Sequence, residues 1–436
     1  MKIAALLLSA LLVLLPGLSA SPSLAAQRLP ARVQVMLVKV GPLLEQEHYQ
    51  QAVELLESFR DRGEPGSSFD HPEINFMLGN CLLLQEQFSQ AARAYRRAIE
   101  ADPDHLGARQ NLARCAYELE EYQQAGELFL GCYQGGGKEQ PELLYFSAAT
   151  FLMAQDYQRS LALFEQLLTV HPEALLPQWQ EHLVHALLAT DQARRALPHI
   201  IELAACYQGK KQQQWQEILL QQYMALEMDR EALALGRRLS HQAPTVAIWW
   251  KGLAHIHLQA DRFDKALAAL TIYSLLTPLS REEEKLLADL HFQQGIPAEA
   301  APRYEHCLEG GRDLETIRAL VQAYLELGRP DEALARLEAL APDGAPPRLQ
   351  MLRADILYTL KQYAQAAGIY RGVARGKGKG RGRERRSARA WLMSGYCHWQ
   401  LNELAAARQA FARAAEDRRY QREARRALKQ FSPGAG

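Results

Sequence analysis

The side chains in this chain that could bind a metal, carry a proton or attack a substrate include its 13 histidines and 6 cysteines. The closest histidines are His255 with His257 and His182 with His185. Residues two apart on a helix point in different directions, so His255 and His257 cannot chelate one ion together. His182 and His185 can share a face, with Glu181 the one acidic neighbour at a ligand spacing. Cys81, Cys115, Cys132, Cys206, Cys307 and Cys397 form no CxxC, no CxxCH and no paired spacing, which argues against zinc, attached haem or a redox pair. Each lies in an apolar stretch such as LGNCLLL or LARCAYEL and reads as a small buried hydrophobe. The chain has no HExxH, no GxSxG and no phosphate loop, since GKGKGRGR lacks the GxxxxGK[ST] order. The expectation is therefore no catalysis, no metal and no cofactor.

Charge is the second kind of chemistry on offer. Lys and Arg total 50 against 50 Asp and Glu, so net charge points to no partner. The distribution does: from Arg371 onward there are 17 basic and 5 acidic residues, net +12, leaving −12 on residues 1–370. The densest part is RGKGKGRGRERRSAR (375–389), which carries Arg375, Lys377, Lys379, Arg381, Arg383, Arg385 and Arg386. Glycine content and self-repulsion predict a flexible loop there, either a solvated linker or a tether to anionic lipid, an acidic protein or nucleic acid. A hydrophobic share of 48% against 23% charged residues requires a folded chain to carry these groups.

The start of the chain reads as an address. Met1 and Lys2 precede the apolar run IAALLLSALLVLL, then Pro16, Gly17 and small residues with a plausible cut after Ala25. That is the pattern of a secretory signal peptide over residues 1–25. An uncleaved anchor in the inner membrane is the alternative, although the run is short of the roughly 20 residues that span a bilayer. Export makes the mature chain periplasmic and argues against nucleic acid.

The elements that position these groups follow from a repeat. The phrase FSQAARAYRRAIEADP (88–103) returns as YQQAGELFLGCYQGGG (122–137), YQRSLALFEQLLTVHP (157–172) and FDKALAALTIYSLLTP (263–278), and in shorter form elsewhere. Its phase is marked by a small residue at Ala52, Ala91, Ala125, Ser160, Ala196, Ala232, Ala266, Ala300, Ala333, Ala366 and Ala407, spaced 39, 34, 35, 36, 36, 34, 34, 33, 33 and 41. A period near 34 signals stacked helical hairpins. Upstream of each small residue lies a second apolar set at helical spacing, such as Leu78 with Leu82. Between them, Gly328 or Gly295 ends one helix and Pro330 or Pro297 begins the next. The small residue sits where the two helices cross, and a hairpin that cannot bury its own apolar face must stack on its neighbours.

These features resemble the tetratricopeptide-repeat family: Leu78, Gly79, Leu82, Ala91, Tyr95, Ala98 and Pro103 match its spacing, as do Trp250, Leu253, Ala254, Ala266 and Pro278. The resemblance implies an all-α superhelical solenoid of about eleven helix-turn-helix units over residues 33–416, with a basic capping helix at 417–431. Gly236, Lys39 and Arg353 depart from the pattern, where a bulky residue or Leu is usual. The resemblance places Trp250 and Trp391 in the core and Trp399 toward the groove. It also implies a concave, protein- or peptide-binding face lined by first-helix positions. Those are Phe76 and Asn80, Gln110 and Arg114, Tyr145 and Ala149, Glu181 and His185, and Glu217 and Gln221. Further on they are Lys251 and His255, Lys285 and Asp289, Arg318 and Gln322, Met351 and Asp355, and Leu392 and Tyr396. The stretch 248–311 is similar to tetratricopeptide proteins that accompany TonB-type energy-transduction systems. The resulting expectation is an exported, non-catalytic scaffold for protein–protein interactions in a bacterial envelope, accessory to such a system. Two other readings stay open: an accessory subunit of a secretion or polysaccharide-export machine, and a basic anchor on anionic membrane or nucleic acid.

Overall fold

The computed structural model describes residues 29–64, 67–309, 311, 313–341, 346–376 and 381–430, with the backbone alone for 381–386. The proposed signal at 1–25, Lys377 and Lys379 lie outside the described residues, as do the side chains of Arg381, Arg383, Arg385 and Arg386. Among the described residues there are 23 α-helices, a short 3-10 turn at Pro172–Ala174 and no strand.

The chain divides into two compact units, residues 1–227 and 228–436. The first holds the hairpins α1 (Ala31–Glu45) with α2 (Tyr49–Arg60), α3 (Pro72–Leu84) with α4 (Phe88–Ala101), and α5 (Leu106–Glu118) with α6 (Tyr122–Gly135). It continues with α7 (Pro141–Met153) and α8 (Tyr157–Val170), α9 (Pro177–Ala189) and α10 (Ala193–Cys206), and α11 (Gly209–Ala225). The second unit begins with α12 (Asp229–Gln242), followed by α13 (Ala247–Gln259) with α14 (Phe263–Leu276) and α15 (Arg281–Gln293) with α16 (Pro297–Leu308). It ends with α17 (Leu314–Glu326) and α18 (Pro330–Leu340), α19 (Pro347–Thr359) and α20 (Tyr363–Arg375), α21 (Arg381–Gln400) and α22 (Leu404–Ala414), and α23 (Gln421–Lys429).

All eleven small residues that set the phase are at most 1 % exposed. Within each unit they are buried because the helices of a hairpin cross on them, leaving no room for a longer side chain. The turn before each crossing is equally regular. A left-handed residue stands five positions upstream every time: Glu47, Glu86, Glu120, Gln155, Asp191, Glu227, Asp261, Gly295, Gly328, Lys361 and Asn402. The core is a succession of apolar clusters joining neighbouring hairpins, such as the one that runs from Val33 to Cys115. Close approach is visible at Gly79, where an added Cβ would meet Tyr95 at 2.5 Å. It also explains Gly236: a Cβ there would lie 2.9 Å from Leu253, which fills the space left by the missing bulky side chain. Lys39 is exposed, and Arg353 pairs with Glu338 at 2.7 Å, so neither charge is left in the core.

Three expectations need correction. The basic segment is not a loop throughout: from Arg381 onward it is the first part of the 20-residue helix α21. Its glycines cluster at 376–382, whereas 383–390 is Arg, Glu, Ser and Ala, which carry no such backbone cost. Cys206 is exposed while the other five cysteines are buried, because it ends α10 instead of facing its crossing. Trp249, not Trp250, is the fully enclosed indole. Trp250 is half-buried and donates its Nε1–H to the Pro244 carbonyl at 2.8 Å, and Trp391 is half-buried too. No described helix is long and apolar enough to cross a membrane.

Candidate functional site

The first helices of the hairpins carry the side chains expected to line the groove, and the structure sorts them into three groups. The first is structural. Asn80 is buried and accepts from Tyr95 Oη and from Asn111 Nδ2, each at 2.8 Å. The same geometry recurs fifteen residues apart at Tyr304 Oη to Asp289 (2.7 Å) and Tyr370 Oη to Asp355 (2.6 Å). A second-helix tyrosine thus donates across its own hairpin to a groove position. The pairing uses up an acceptor that a partner would otherwise reach.

Tyr145 belongs with this group and corrects the expectation that it lines the groove. It is 1 % exposed, stacked on Trp179 of the next first helix at 4.4 Å and 8°, and its hydroxyl lies 3.1 Å from His182 Nδ1. The indole of the following hairpin lies across its ring. Burial pushes the Tyr145 hydroxyl up and His182 down from their ordinary pKa values. Ala149, Met351 and Leu392 are likewise buried and cannot touch a partner. Phe76 is half-buried against His105, with ring centres 4.6 Å apart.

The second group forms rungs between successive first helices. In the first unit, Lys211 Nζ lies 2.5 Å from Glu181, which also accepts from the Tyr207 hydroxyl, and Gln110 and Gln140 meet at 3.4 Å. In the second, Lys251 pairs with Glu283 at 2.7 Å, Lys285 with Asp313 at 2.8 Å, and Arg389 with Asp355 at 2.9 Å. Hydrogen bonding from Lys285, then from Thr316, holds the Asp313 carboxyl well below the usual carboxylate range. Exposed pairs of this kind contribute about 0–1 kcal/mol each, so they orient the face more than they stabilise it. Near the C-terminus Tyr396 donates to Glu423 at 2.9 Å, and Trp399 stacks on Tyr396 with centres 6.4 Å apart. The partners Lys211, Glu283, Asp313 and Arg389 were missed from the sequence because a rung depends on the reach of the neighbouring hairpin, which spacing alone does not encode.

The third group is open. His185, His255 and Gln322 are exposed and make no hydrogen bond or ion pair among the described residues. Gln221 is exposed, holding only Glu217 of its own helix at 3.3 Å, and Arg318 pairs only with Glu315 of its helix at 3.0 Å. Arg114 is half-buried with its Nε–H unpartnered among the described residues. The histidines do not converge: His182 and His257 are buried while His185 and His255 are exposed. Among the described residues no three His, Cys, Asp or Glu side chains gather as a metal set would require.

Comparison with known proteins adds family information. Residues 291–356 and 374–424 match models described as tetratricopeptide repeat, and residues 45–132 match the model for subunit 3 of the anaphase-promoting complex, or cyclosome. A search of curated proteins returns no match. Among solved structures, MamA from Desulfovibrio magneticus is 13% identical, covering 40% of this chain and 94% of its own, with a TM-score of 0.34. A tetratricopeptide repeat protein from Parabacteroides merdae is 15% identical over 67% of this chain and 98% of its own, at 0.32. A chain of the Naa15/Naa10 assembly bound to HypK is 13% identical over 92% and 79%, at 0.41. Tetratricopeptide models match residues 291–356 and 374–424, and one left-handed turn followed five positions on by a buried small residue recurs from Glu47 to Ala407, so the chain carries tetratricopeptide repeats.

Proposed function

We propose that the protein is an exported, non-catalytic scaffold that holds a protein or peptide partner on its first-helix face, in a bacterial envelope. Tetratricopeptide repeats are protein–protein interaction modules, and proteins built from them are generally non-catalytic. The observation that carries the choice of face is the contrast within it. Among the described residues, His185, His255 and Gln322 stand exposed and unpaired beside positions already locked into rungs, so they can bind a partner without breaking a described contact. Replacing all three with Ala should abolish capture of the partner and leave the melting temperature unchanged. Unaltered capture would rule this face out.

Export rests on the basic, apolar and small-residue order of residues 1–25. Mass analysis of the secreted form should find a chain beginning near Ala26 in the envelope fraction, and an intact Met1 retained in the cytoplasm would refute it. Accessory service to a TonB-type transport system is the narrower reading that the likeness of 248–311 suggests. A secretion or polysaccharide-export machine is the other client consistent with such a scaffold. A second mode, anchorage to an anionic surface, is favoured by the exposed row Arg418, Arg419, Arg422, Arg425, Arg426 and Lys429 around α23. That mode should weaken steeply with salt, since screening shortens from about 10 Å at 0.1 M to about 3 Å at 1 M.

A further inference from the structure

Away from the groove positions, the second unit contains a cavity of about 330 Å³ between α20, α21 and α22. Its charged lining is Arg371, Arg375 and Arg413. Among the described residues Arg371 and Arg375 make no ion pair, and Arg413 has only a loose contact of 4.0 Å with Glu416, just past the end of its helix. The Arg375 guanidinium sits 6.0 Å over the Trp391 ring, which forms a flat wall of the same cavity. Ala374, Ala406 and Ala410 keep the floor open, and no carboxylate is part of the described lining.

The feature that turns a basic surface into a built site is Ser394. It lines the cavity, is 0 % exposed, and among the described residues its Oγ has no hydrogen-bond partner, not even the carbonyl one turn earlier in α21. A buried hydroxyl left unsatisfied is unfavourable, and a ligand or water that accepts from it removes the cost. Beside it His398 is held by Glu403 at 2.5 Å through Nδ1, which fixes the ring, and Gln409 supplies an amide.

We propose that this cavity is an oxyanion site for a phosphate monoester group. Arg371, Arg375 and Arg413 supply the charge, and Ser394 supplies the enclosed donor. The choice of phosphate follows from number and charge. Three guanidinium groups exceed what one carboxylate neutralises. A phosphate monoester carries about −1.5 to −2 at pH 7 and offers three strong acceptor oxygens, enough for the arginines and the hydroxyl together. Guanidinium forks match phosphate oxygens bidentately, and the Trp391 face can carry the ester's organic part. The site is distinct from the groove proposed above, because α20 and α22 are second helices and the α21 residues that line it, Trp391, Ser394 and His398, are not groove positions.

The same headgroup could arrive free or on a lipid, so the experiment has two arms. The full mature chain is titrated with inorganic phosphate and glycerol phosphate against chloride at matched ionic strength, and with vesicles containing phosphatidic acid. Ser394→Ala should weaken phosphate about tenfold, as expected for a lost hydrogen bond to a charged group. The protein should melt no lower, since the change removes an unpaired hydroxyl. Arg371→Gln with Arg375→Gln should abolish saturable binding. If vesicle binding is also weakened by Ser394→Ala, the lipid headgroup uses this site; if vesicle binding is unchanged while free phosphate is lost, the ligand is a free phosphate ester. No saturable phosphate binding beyond the chloride control, or binding indifferent to both variants, overturns the proposal.

Discussion

Ala266 shows how little freedom a single position has in this fold: it is fully buried at the crossing of α13 and α14. Ala266→Leu should destabilise the protein by about 1–3 kcal/mol through overpacking, measured by chemical denaturation. Tyr145 is the residue where burial changes the expected experiment. Its ring is stacked on Trp179, so Tyr145→Ala should cost about 3–5 kcal/mol and would report folding instead of partner binding. The buried histidines make a prediction of a different kind. Burial lowers His182, His257 and His291 below the ordinary 6.5, and both ring nitrogens of His291 lack a partner among the described residues. The folded protein therefore holds these rings neutral, while the unfolded chain takes up protons near 6.5. Stability is unaffected by them above that pH and falls as pH drops from 6.5 toward their folded values. His291→Leu should flatten part of that fall, read as melting temperature against pH. An unchanged slope would show that His291 does not contribute.

At the level of the hairpin, the turn is the element that repeats most faithfully. Gly328 and Gly295 hold φ near +71°, and Gly328→Ala should cost about 1 kcal/mol by denaturant midpoint. The reverse change, Glu86→Gly, relieves the same strain and should stabilise by less, because glycine also loses more freedom on folding. The two glycine turns were legible in the sequence. The other nine were not, since Glu, Gln, Asp, Lys and Asn take the left-handed conformation there without announcing it by residue type. The crossings were legible because their small residue is demanded by sterics and spaced by the period. The exposure of the first-helix positions was not legible: Asn80 is bonded by Tyr95, and Tyr145 is stacked under Trp179 of the next hairpin. In 375–389 the count of arginines and glycines obscured their order, and it is order that lets α21 start at Arg381.

Within each unit, the chain is a series of hairpins whose apolar faces are covered by their neighbours. Such an array should unfold by nearest-neighbour losses, so its sensitivity to substitution should follow the crossings and not the exposed rungs. Its function, as proposed, depends on which side of the hairpins meets a partner. The most direct measurement is site-specific photo-crosslinking in living cells. The probe is placed one position at a time at His185, His255 and Gln322 on first helices, and at Arg97 and Arg238 on second helices, all of them exposed. The account predicts a discrete protein adduct from the three first-helix positions and none from the second-helix pair. Adducts from Arg97 and Arg238 with none from the first helices would contradict it.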